Sequence, residues 1–490
     1  MTKKLFFILI SLFYAGHYLQ AASCLAPQVI EPLDIKIPCV LVDGQAFSTS
    51  LNNKNNELLW QWDGNISSTT CTNEQNVCVT LDKGNLNFPA LILNNQDYTA
   101  TLNLAPEVGE FTWRYHQHQI KATENMDVFP ESSKQALRDF IKNAIATNQI
   151  PGAIIGIASG NKTILLEAFG KSNVEQNKKL TVDQLFHIGS THKMMTSFLI
   201  STLVDKGILQ WDTKAQAIYP QFTLSNSEYA SQITIRQLLS MTSGLPKDID
   251  DVFDNPTRFI LEGLTDFDFI GPPEQQYSYS NLSISMAGYL AVLAKAKADN
   301  GVITETDLNN LHAGYERLLR ETVLDPIGMK NSYLYIDDAR ATGKMANSHH
   351  LNNGTFVVSE SVDTRIDNIA PAGGLKSTAG DMLRYIITEM QQGLSPDGVQ
   401  VAESNHIAER QKLSTGVAGE EEYGIAVEIK SFNNGLTYIG HTGSFDNFNS
   451  IIGFFPSKKI AFVLLTNGDS PAALDLTSTG IEEKMLELLE

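Results

Sequence analysis

The chain has 490 residues, of which 42% are hydrophobic and 19% are charged, and its formal charge at pH 7 is −19. Hydrophobicity of this extent with modest charge excludes a wholly disordered chain, and the length allows roughly two or three domains. The acidic balance argues against nonspecific binding of nucleic acid, because such binding requires clustered Lys and Arg. We therefore expect a folded protein that binds no nucleic acid.

Residues 1–23 have the pattern of a secretory signal peptide. A basic pair precedes an apolar run over 5–15, and small residues at 21–23 provide a cleavage site. The run is too short to span a bilayer, which takes about 20 residues, and the rest of the sequence shows no membrane-span pattern. We predict export, to the periplasm or as a secreted protein. A lipid anchor at Cys24 is the alternative.

All four cysteines lie near the start of the chain, and an exported protein meets an oxidising compartment. They are Cys24, Cys39, Cys71 and Cys78, and four cysteines allow three pairings. Closeness in the sequence favours the disulfides Cys24–Cys39 and Cys71–Cys78. No C-x-x-C spacing occurs that would indicate a metal site instead.

Residues 24–125 are predicted to form a small accessory β domain. Apolar and polar residues alternate over 58–63, 100–104 and 111–116, with Asn- and Gly-rich breaks between such runs. This period is typical of antiparallel strands, and it favours a sandwich. The polar segment 123–130, which ends in proline, is the candidate domain boundary.

After this boundary the hydrophobic period becomes helical, and residues 128–490 are predicted to form a second domain. A helix near 133–148 precedes a β-hairpin that turns at Gly160-Asn161. Further helices are predicted at 190–206, 233–241, 282–297, 307–323 and 378–392. Strand patterns return in four late runs before a last helix at 478–490. This order predicts an α+β fold, with one antiparallel sheet closed from both ends of the domain and a helical subdomain inserted.

A Ser-x-x-Lys sequence stands at the start of the first central helix. Ser190 lies at the predicted N-terminus, and Lys193 is one turn further on, about 5–6 Å away between Cβ atoms. The helix is apolar nearly all round, and burial disfavours the charged form of a lysine, which equips it to take a proton from a serine. A second copy, Ser159 to Lys162, falls in the hairpin turn, which we interpret as solvated.

Two further segments carry side chains suited to the same chemistry. Tyr279 and Asn281 stand at i and i+2 in a loop before a helix, so they point the same way and can offer a phenol for proton transfer and an amide for a substrate carbonyl. Residues 441–444, His-Thr-Gly-Ser, end a late strand along which a substrate can lie as an added strand. Each segment alone also fits an ordinary turn or surface hairpin.

Together these segments resemble the penicillin-recognising serine hydrolases, which include class C β-lactamases, D-alanyl-D-alanine carboxypeptidases and their esterase relatives. FHIGSTHK resembles the S-x-x-K element of that family, YSYSN its Y-x-N element, and HTG its K-T-G or H-x-G triplet. Order and spacing agree, and the resemblance covers about three quarters of the chain. It implies the fold of that family for residues 128–490.

The resemblance also implies a role for each residue. Ser190 would form an acyl-enzyme, and Lys193 and Tyr279 would move protons. Asn281 would orient the acyl side, and the backbone N–H groups of Ser190 and Ser444 would form the oxyanion hole. The strand facing the substrate would be lined by His441, Thr442 and Gly443. The resemblance implies no metal and no organic cofactor, and a small-molecule or peptide substrate, with cell-wall fragments as one class.

Two residues depart from the family pattern. His441 stands where members that attack β-lactams or terminal D-alanine usually have lysine, and an unperturbed histidine, with a pKa of about 6.5, is largely neutral at pH 7. A substrate carboxylate would be held less firmly, which favours esters, amides or peptides over efficient β-lactam hydrolysis. Met241 stands where relatives often have histidine. A D-alanyl-D-alanine carboxypeptidase or β-lactamase, and a penicillin-binding sensor with little turnover, are the alternatives.

Overall fold

The computed structural model divides the chain into two compact units, Met1–Met126 and Asp127–Glu490. The described residues are the strand backbones between 21 and 117, and residues 129–147, 149–247, 255, 257–359, 364–413 (side chains from 366) and 423–489. Residues 1–20 of the predicted signal peptide and the cysteine side chains lie outside them. Among the described helices, none combines the length and the apolar character needed to cross a membrane.

The described part of the first unit consists of strands whose pairing joins them into one sheet. Their bounds are β1 Ala21–Ala22, β2 Gln28–Glu31, β3 Asp34–Val42, β4 Gln45–Lys54, β5 Glu57–Asn65, β6 Cys78–Asp82, β7 Asn85–Leu93, β8 Gln96–Ala105 and β9 Glu110–Gln117. Neighbouring strands pair antiparallel, except that β2 and β7 are parallel. The three alternating runs of the sequence lie within β5, β8 and β9.

The second unit is built on a seven-stranded antiparallel sheet of order β12-β11-β10-β21-β20-β19-β18. The strands of this unit are β10 Gly152–Ser159, β11 Lys162–Asn173, β12 Lys178–Lys179, β13 Phe186–His187, β14 Ser332–Tyr333, β15 His349–Asn352, β16 Thr355–Val358, β17 Lys376–Ser377, β18 Glu428–Ser431, β19 Thr437–Phe445, β20 Phe448–Phe455, β21 Ile460–Thr466 and β22 Gly468–Asp469. The early hairpin β10–β11 pairs directly with the late strand β21. The predicted closure of one sheet from both ends of the domain is therefore confirmed.

The helices of the second unit lie mostly between the two groups of strands. They are α1 Glu131–Ala146, α2 His192–Asp205, α3 Ala215–Ile218, α4 Ser227–Ala230, α5 Ile235–Leu239, α6 Phe259–Glu262, α7 Asn281–Asn300, α8 Glu305–Asn309, α9 Leu311–Leu319, α10 Asp325–Ile327, α11 Ile336–Ala341, α12 Ala370–Gly373, α13 Ala379–Met390, α14 Ser404–Arg410, α15 Pro471–Asp475 and α16 Ile481–Leu489. The predicted helical subdomain inserted into the sheet domain is thus present. The helix predicted over 307–323 ends earlier, at Leu319, and continues as a π-helical turn.

Helices cover both faces of the seven-stranded sheet, as the alternation along β10 shows. Ile155 and Ile157 belong to one buried cluster with residues of α1 and α16. Ile154 belongs to the larger cluster that contains the central helices. Gly156 lies beneath α13, where an added Cβ would come within 2.6 Å of Leu383 Cδ1. The sheet is therefore the middle layer, and the central helices occupy one side of it.

Helix α2 runs through the interior of this helical layer. Its residues from His192 to Leu203 are all buried, and it packs against α7, α12 and α14. At its far side the fully buried Arg410 of α14 donates to Ser197 Oγ at 2.9 Å and to the Met194 carbonyl at 2.8 Å. Its guanidinium also pairs with Glu389 at 2.7 Å. These bonds fix the position of α2.

Replacing Arg410 by methionine is expected to lower the free energy of unfolding by about 3–5 kcal/mol, because it leaves the buried Glu389 carboxylate without its cation. Urea denaturation measures the change. Lys412→Met is the matched control, because the charged side chain of Lys412 is exposed to solvent. Its loss should change the free energy of unfolding by less than about 0.5 kcal/mol. Equal effects of the two substitutions would contradict the structural role of Arg410.

Candidate active site

Ser190 lies in a tight turn at the start of α2. A single 3-10 turn, Gly189–Thr191, leads from β13 into the helix. Gly189 has a φ of +52°, in the region that favours glycine, and a Cβ at this position would lie 2.8 Å from Ser444 N. The sequence can therefore form this turn against β19 only with glycine before the serine. The Ser190 side chain itself is partly exposed.

Lys193 is fully buried one turn behind Ser190. Its Nζ lies 2.8 Å from Ser190 Oγ. Nζ also donates to Asn281 Oδ1 at 2.7 Å and to the Ala372 carbonyl at 2.8 Å. These two oxygens can only accept hydrogen bonds, so they take two N–H groups and direct the remaining position of the nitrogen at the serine. In the neutral amine that position is a lone pair, which can take the hydroxyl proton.

Tyr279 and Asn281 stand on either side of the residue that caps α7. The helix begins at Asn281, and the Ser280 hydroxyl accepts the N–H of Ser283 at 3.3 Å. Lys193 Nζ lies 4.8 Å from the centre of the Tyr279 ring. Since the Asn281 carbonyl oxygen faces Lys193, its NH₂ group is the end that can donate to a substrate.

Met241 anchors the loop that carries Tyr279. It is buried with a φ of +61°, its Sδ accepts the Ser280 N–H at 3.3 Å, and its carbonyl accepts the Ser278 N–H at 2.9 Å. The thioether is a weak acceptor, but it lies where the Ser280 N–H of this loop requires a hydrogen-bond acceptor. The departure from the histidine of relatives therefore leaves the loop tied down.

Strand β19 passes against the Ser190 turn without room for a side chain. A Cβ on Gly443 would lie 2.3 Å from the Ile188 carbonyl oxygen and 2.9 Å from Ser190 N. Ser450 of β20 donates to the same Ile188 carbonyl at 2.6 Å, which fastens the turn to the sheet. The backbone N–H groups of Ser190 and Ser444 are therefore close neighbours. Two neighbouring N–H groups are what an oxyanion hole requires.

His441 is buried, with 1% of its surface exposed. Its Nε2 lies 3.0 Å from the Tyr423 hydroxyl, and its Nδ1 lies 3.5 Å from Glu428 Oε1. The rings of His441 and Tyr279 are 6.2 Å apart. Thr442 donates both its N–H and its hydroxyl to Glu428 Oε1, each at 3.3 Å. Burial raises the pKa of Glu428, against the opposing effects of nearby cations and of these donors.

The structure brings the residues predicted for the site to one place at the edge between the sheet and α2. They are Ser190, Lys193, Tyr279, Asn281, His441, Thr442, Gly443 and Ser444. The second Ser-x-x-Lys copy is not among them, because Ser159 ends β10 and the exposed Lys162 begins β11. The disulfide candidates Cys24, Cys39, Cys71 and Cys78 lie outside the described side chains.

Three contacts of the site were not predicted from the sequence. The Ala372 carbonyl binds Lys193, and Tyr423 and Glu428 bind His441. In the sequence, Tyr423 stands in a Tyr-Gly pair before a strand and Glu428 lies within that strand. Neither feature is specific enough to predict a contact with His441. Among the described residues, no group of three or more His, Cys, Asp or Glu side chains is arranged to hold a metal ion.

Comparison with known proteins finds several relatives of this chain. "Beta-lactamase-like protein 2" of Dictyostelium discoideum is 29% identical over 282 residues, which are 55% of this chain and 47% of that protein. "Unguisins hydrolase ungD'" of Aspergillus campestris is 26% identical over 348 residues, 68% of this chain and 61% of that protein. "Protein flp" of Staphylococcus aureus is 23% identical over 343 residues, with shares of 69% and 64%. The chain thus spans less than two thirds of the length of these relatives.

A solved structure has a similar fold. The octameric penicillin-binding protein homologue from Pyrococcus abyssi superimposes with a TM-score of 0.56 at 22% identity, over 71% of this chain and 77% of that one. At this identity the likeness concerns the fold alone. Residues 137–482 match the family model described as Beta-lactamase. Because this match covers more than half of the chain, the protein belongs to the β-lactamase family.

Proposed function

We propose that the chain is an exported serine hydrolase that acts through an acyl-enzyme on Ser190. The observation that carries this proposal is the 2.8 Å contact between Lys193 Nζ and Ser190 Oγ. Membership of the β-lactamase family supports it, and so does a relative that is itself named a hydrolase. Nucleophile and base at hydrogen-bond distance, with the base held by further contacts, is the arrangement that activates a serine.

In acylation, Lys193 takes the hydroxyl proton as Ser190 Oγ attacks the substrate carbonyl. The N–H groups of Ser190 and Ser444 stabilise the oxygen that becomes negative, an interaction typically worth about 3–4 kcal/mol per donor. Tyr279 and Lys193 pass the proton to the leaving group, and the acyl-enzyme remains. The same two residues then activate a water molecule, which attacks the ester of the acyl-enzyme, and hydrolysis regenerates the free serine.

The proposed substrates are esters, amides or peptides without a free carboxylate beside the scissile bond. The imidazole of His441 faces Tyr423 and Glu428 with its two nitrogens, so it is engaged within the protein. A buried carboxylate at 3.5 Å would also compete with a substrate carboxylate for any positive charge on this ring. D-alanyl-D-alanine carboxypeptidase and β-lactamase activities need that substrate carboxylate to be held, which is why we place them second.

Replacing His441 by lysine is expected to shift selectivity towards substrates that carry a carboxylate. We expect the acylation rate of a penicillin, relative to that of its methyl ester, to rise roughly tenfold, the effect of one hydrogen bond to a charged group. The methyl ester is the matched control because it differs only in the carboxylate. An unchanged ratio would remove the argument from His441 about substrate class.

The proposal is tested by turnover of p-nitrophenyl esters and by labelling with a fluorescent penicillin. The wild-type chain is compared with Ser190→Ala and with Ser159→Ala, which alters the second Ser-x-x-Lys copy and should behave as the wild type. Ester turnover that requires Ser190 supports a hydrolase. A stable Ser190 adduct without turnover would instead support a penicillin-binding sensor. Activity and labelling that survive Ser190→Ala would show that the nucleophile is wrong.

The proposal extends to the first unit as an accessory domain of the exported protein. Removal of residues 1–23 would leave Cys24 near the mature N-terminus, and the division of the chain at Met126 lies beside the predicted boundary. N-terminal sequencing of the mature protein tests the cleavage. Peptide mapping without reduction tests the two disulfides, and a Cys24 that carries lipid would favour the anchor.

A further inference from the structure

His441 connects the proposed catalytic residues to two side chains behind it. Its ring faces that of Tyr279, whose ring in turn lies 4.8 Å from Lys193 Nζ. On the other side, Tyr423 and Glu428 come from the segment that leads into β18 and from its first residue. Both are buried. The imidazole therefore stands between the site and a buried phenol and carboxylate.

The neighbours of Nδ1 determine which nitrogen of His441 carries a proton. Nδ1 lies 2.5 Å from the Thr442 carbonyl oxygen and 3.5 Å from Glu428 Oε1. A carbonyl oxygen can only accept, so Nδ1 must be the donor. In the neutral ring Nε2 is then the acceptor, and the Tyr423 hydroxyl donates to it at 3.0 Å. The surroundings thus define one tautomer and one ring orientation.

Glu428 is itself held in place at the ring. It accepts the N–H and hydroxyl of Thr442, and Lys430 Nζ lies 3.8 Å from its second oxygen. Tyr423 is held by its ring, which packs against Tyr277 at 5.6 Å between centres. Each partner of His441 is therefore fixed independently of the histidine, as a positioning device requires.

We propose that Glu428 and Tyr423 are positioning residues, which fix the tautomer and orientation of His441 and through it the phenol of Tyr279. This inference rests on the proposed function, because the reaction it serves is the one at Ser190. The imidazole ring is thereby kept beside the Tyr279 phenol, which passes a proton to the leaving group in the proposed reaction. Neither Glu428 nor Tyr423 is assigned contact with the substrate.

The pH dependence of the reaction distinguishes positioning from a merely structural role. The titratable groups that face His441 are Glu428 from β18, Tyr423 before it, and Tyr279 from the loop before α7, with Lys193 of α2 behind the phenol. A carboxylate beside an imidazole favours its protonated form. Glu428→Gln removes this carboxylate, so it should move the limb of the kcat/KM profile that reports His441 to lower pH, by roughly one unit. KM should be nearly unchanged.

Tyr423→Phe removes the hydroxyl and keeps the ring that packs on Tyr277. We expect kcat to fall roughly three- to tenfold, the effect of one hydrogen bond. In the background of His441→Asn, Tyr423→Phe should cause no further loss, because the group it positions is absent. Equal losses from Tyr423→Phe in both backgrounds would show that Tyr423 does not act through His441.

Glu487→Gln is the matched control for charge, because Glu487 is 67% exposed on the last helix and its loss changes the net charge in the same way. It should leave the pH profile as in the wild type. Reduced stability of Glu428→Gln would lower the rate at every pH without moving a limb. A limb that stays in place in Glu428→Gln overturns the inference.

A readout without turnover separates this inference from the proposed function. In protein labelled with ¹⁵N-histidine, with His441→Asn used for assignment, the neutral ring should be protonated at Nδ1 in the wild type. In Glu428→Gln, this ring should titrate at lower pH than in the wild type. A ring protonated at Nε2 would contradict the positioning, even if Ser190 proves catalytic. If the ring shows the expected tautomer but no reaction depends on Ser190, only the proposed function is contradicted.

Discussion

Ser190→Ala is expected to reduce kcat for ester hydrolysis on the order of 10⁶-fold, the loss that removal of the nucleophile causes in a serine protease. Ser190 Oγ lies 2.8 Å from Lys193 Nζ, so the substitution removes the hydroxyl that this amine is placed to activate. KM should change little, because substrate contacts from β19 and Asn281 remain. Stopped-flow and long steady-state assays on matched preparations measure the loss.

The control for Ser190→Ala is Ser159→Ala, which alters a serine in the same sequence context but at the half-buried end of β10, beside the hairpin turn. It should keep kcat within about twofold of the wild type, as surface substitutions away from a site usually do. A loss of less than about tenfold for Ser190→Ala, at unchanged stability, would contradict the proposed nucleophile.

Lys193→Met is expected to reduce kcat by about 10²–10⁴-fold, the contribution of a positioned general base. Methionine suits the interior of α2, whose neighbouring residues are Met194 and Met195, both buried. The fold should therefore persist, while the amine that takes the proton of Ser190 is lost. Circular dichroism and thermal unfolding check the fold, and the same ester assay measures the rate.

Lys193→Met and Ser190→Ala should not be additive. Residues that act as a unit lose their joint contribution with the first substitution, so the double variant should be no slower than Ser190→Ala alone. A double variant slower by the product of both losses would mean that Lys193 acts on some group other than the serine hydroxyl.

The parts of the site that are local in sequence could be predicted. Ser190 and Lys193 are three residues apart, and helix geometry alone brings their side chains together. The sheet could also be predicted, because β10, β11, β20 and β21 have continuous apolar or alternating patterns. Tyr279 and Asn281 came from the resemblance, since their approach to Lys193 depends on how α7 packs on α2.

The contacts around His441 could not be predicted, because their physical causes are not local. Residues 423–430 have a strand pattern, but the strand begins only at Glu428. Ala426 has a φ of +57° and donates to the Leu239 carbonyl instead. This turn brings Tyr423 back to His441. Likewise, nothing in the sequence around Met241 indicates that its sulfur accepts the N–H of a loop almost forty residues further on.

The central claim, that Ser190 becomes acylated, is tested most directly by quenching the full chain during reaction with an activated ester and mapping the added mass. Trypsin releases residues 180–193 as one peptide, in which Ser190 is the sole serine. The account predicts the acyl mass on this peptide, at Ser190, and its loss as turnover proceeds. An acyl group on another peptide, or turnover of the wild type without any adduct, would contradict it.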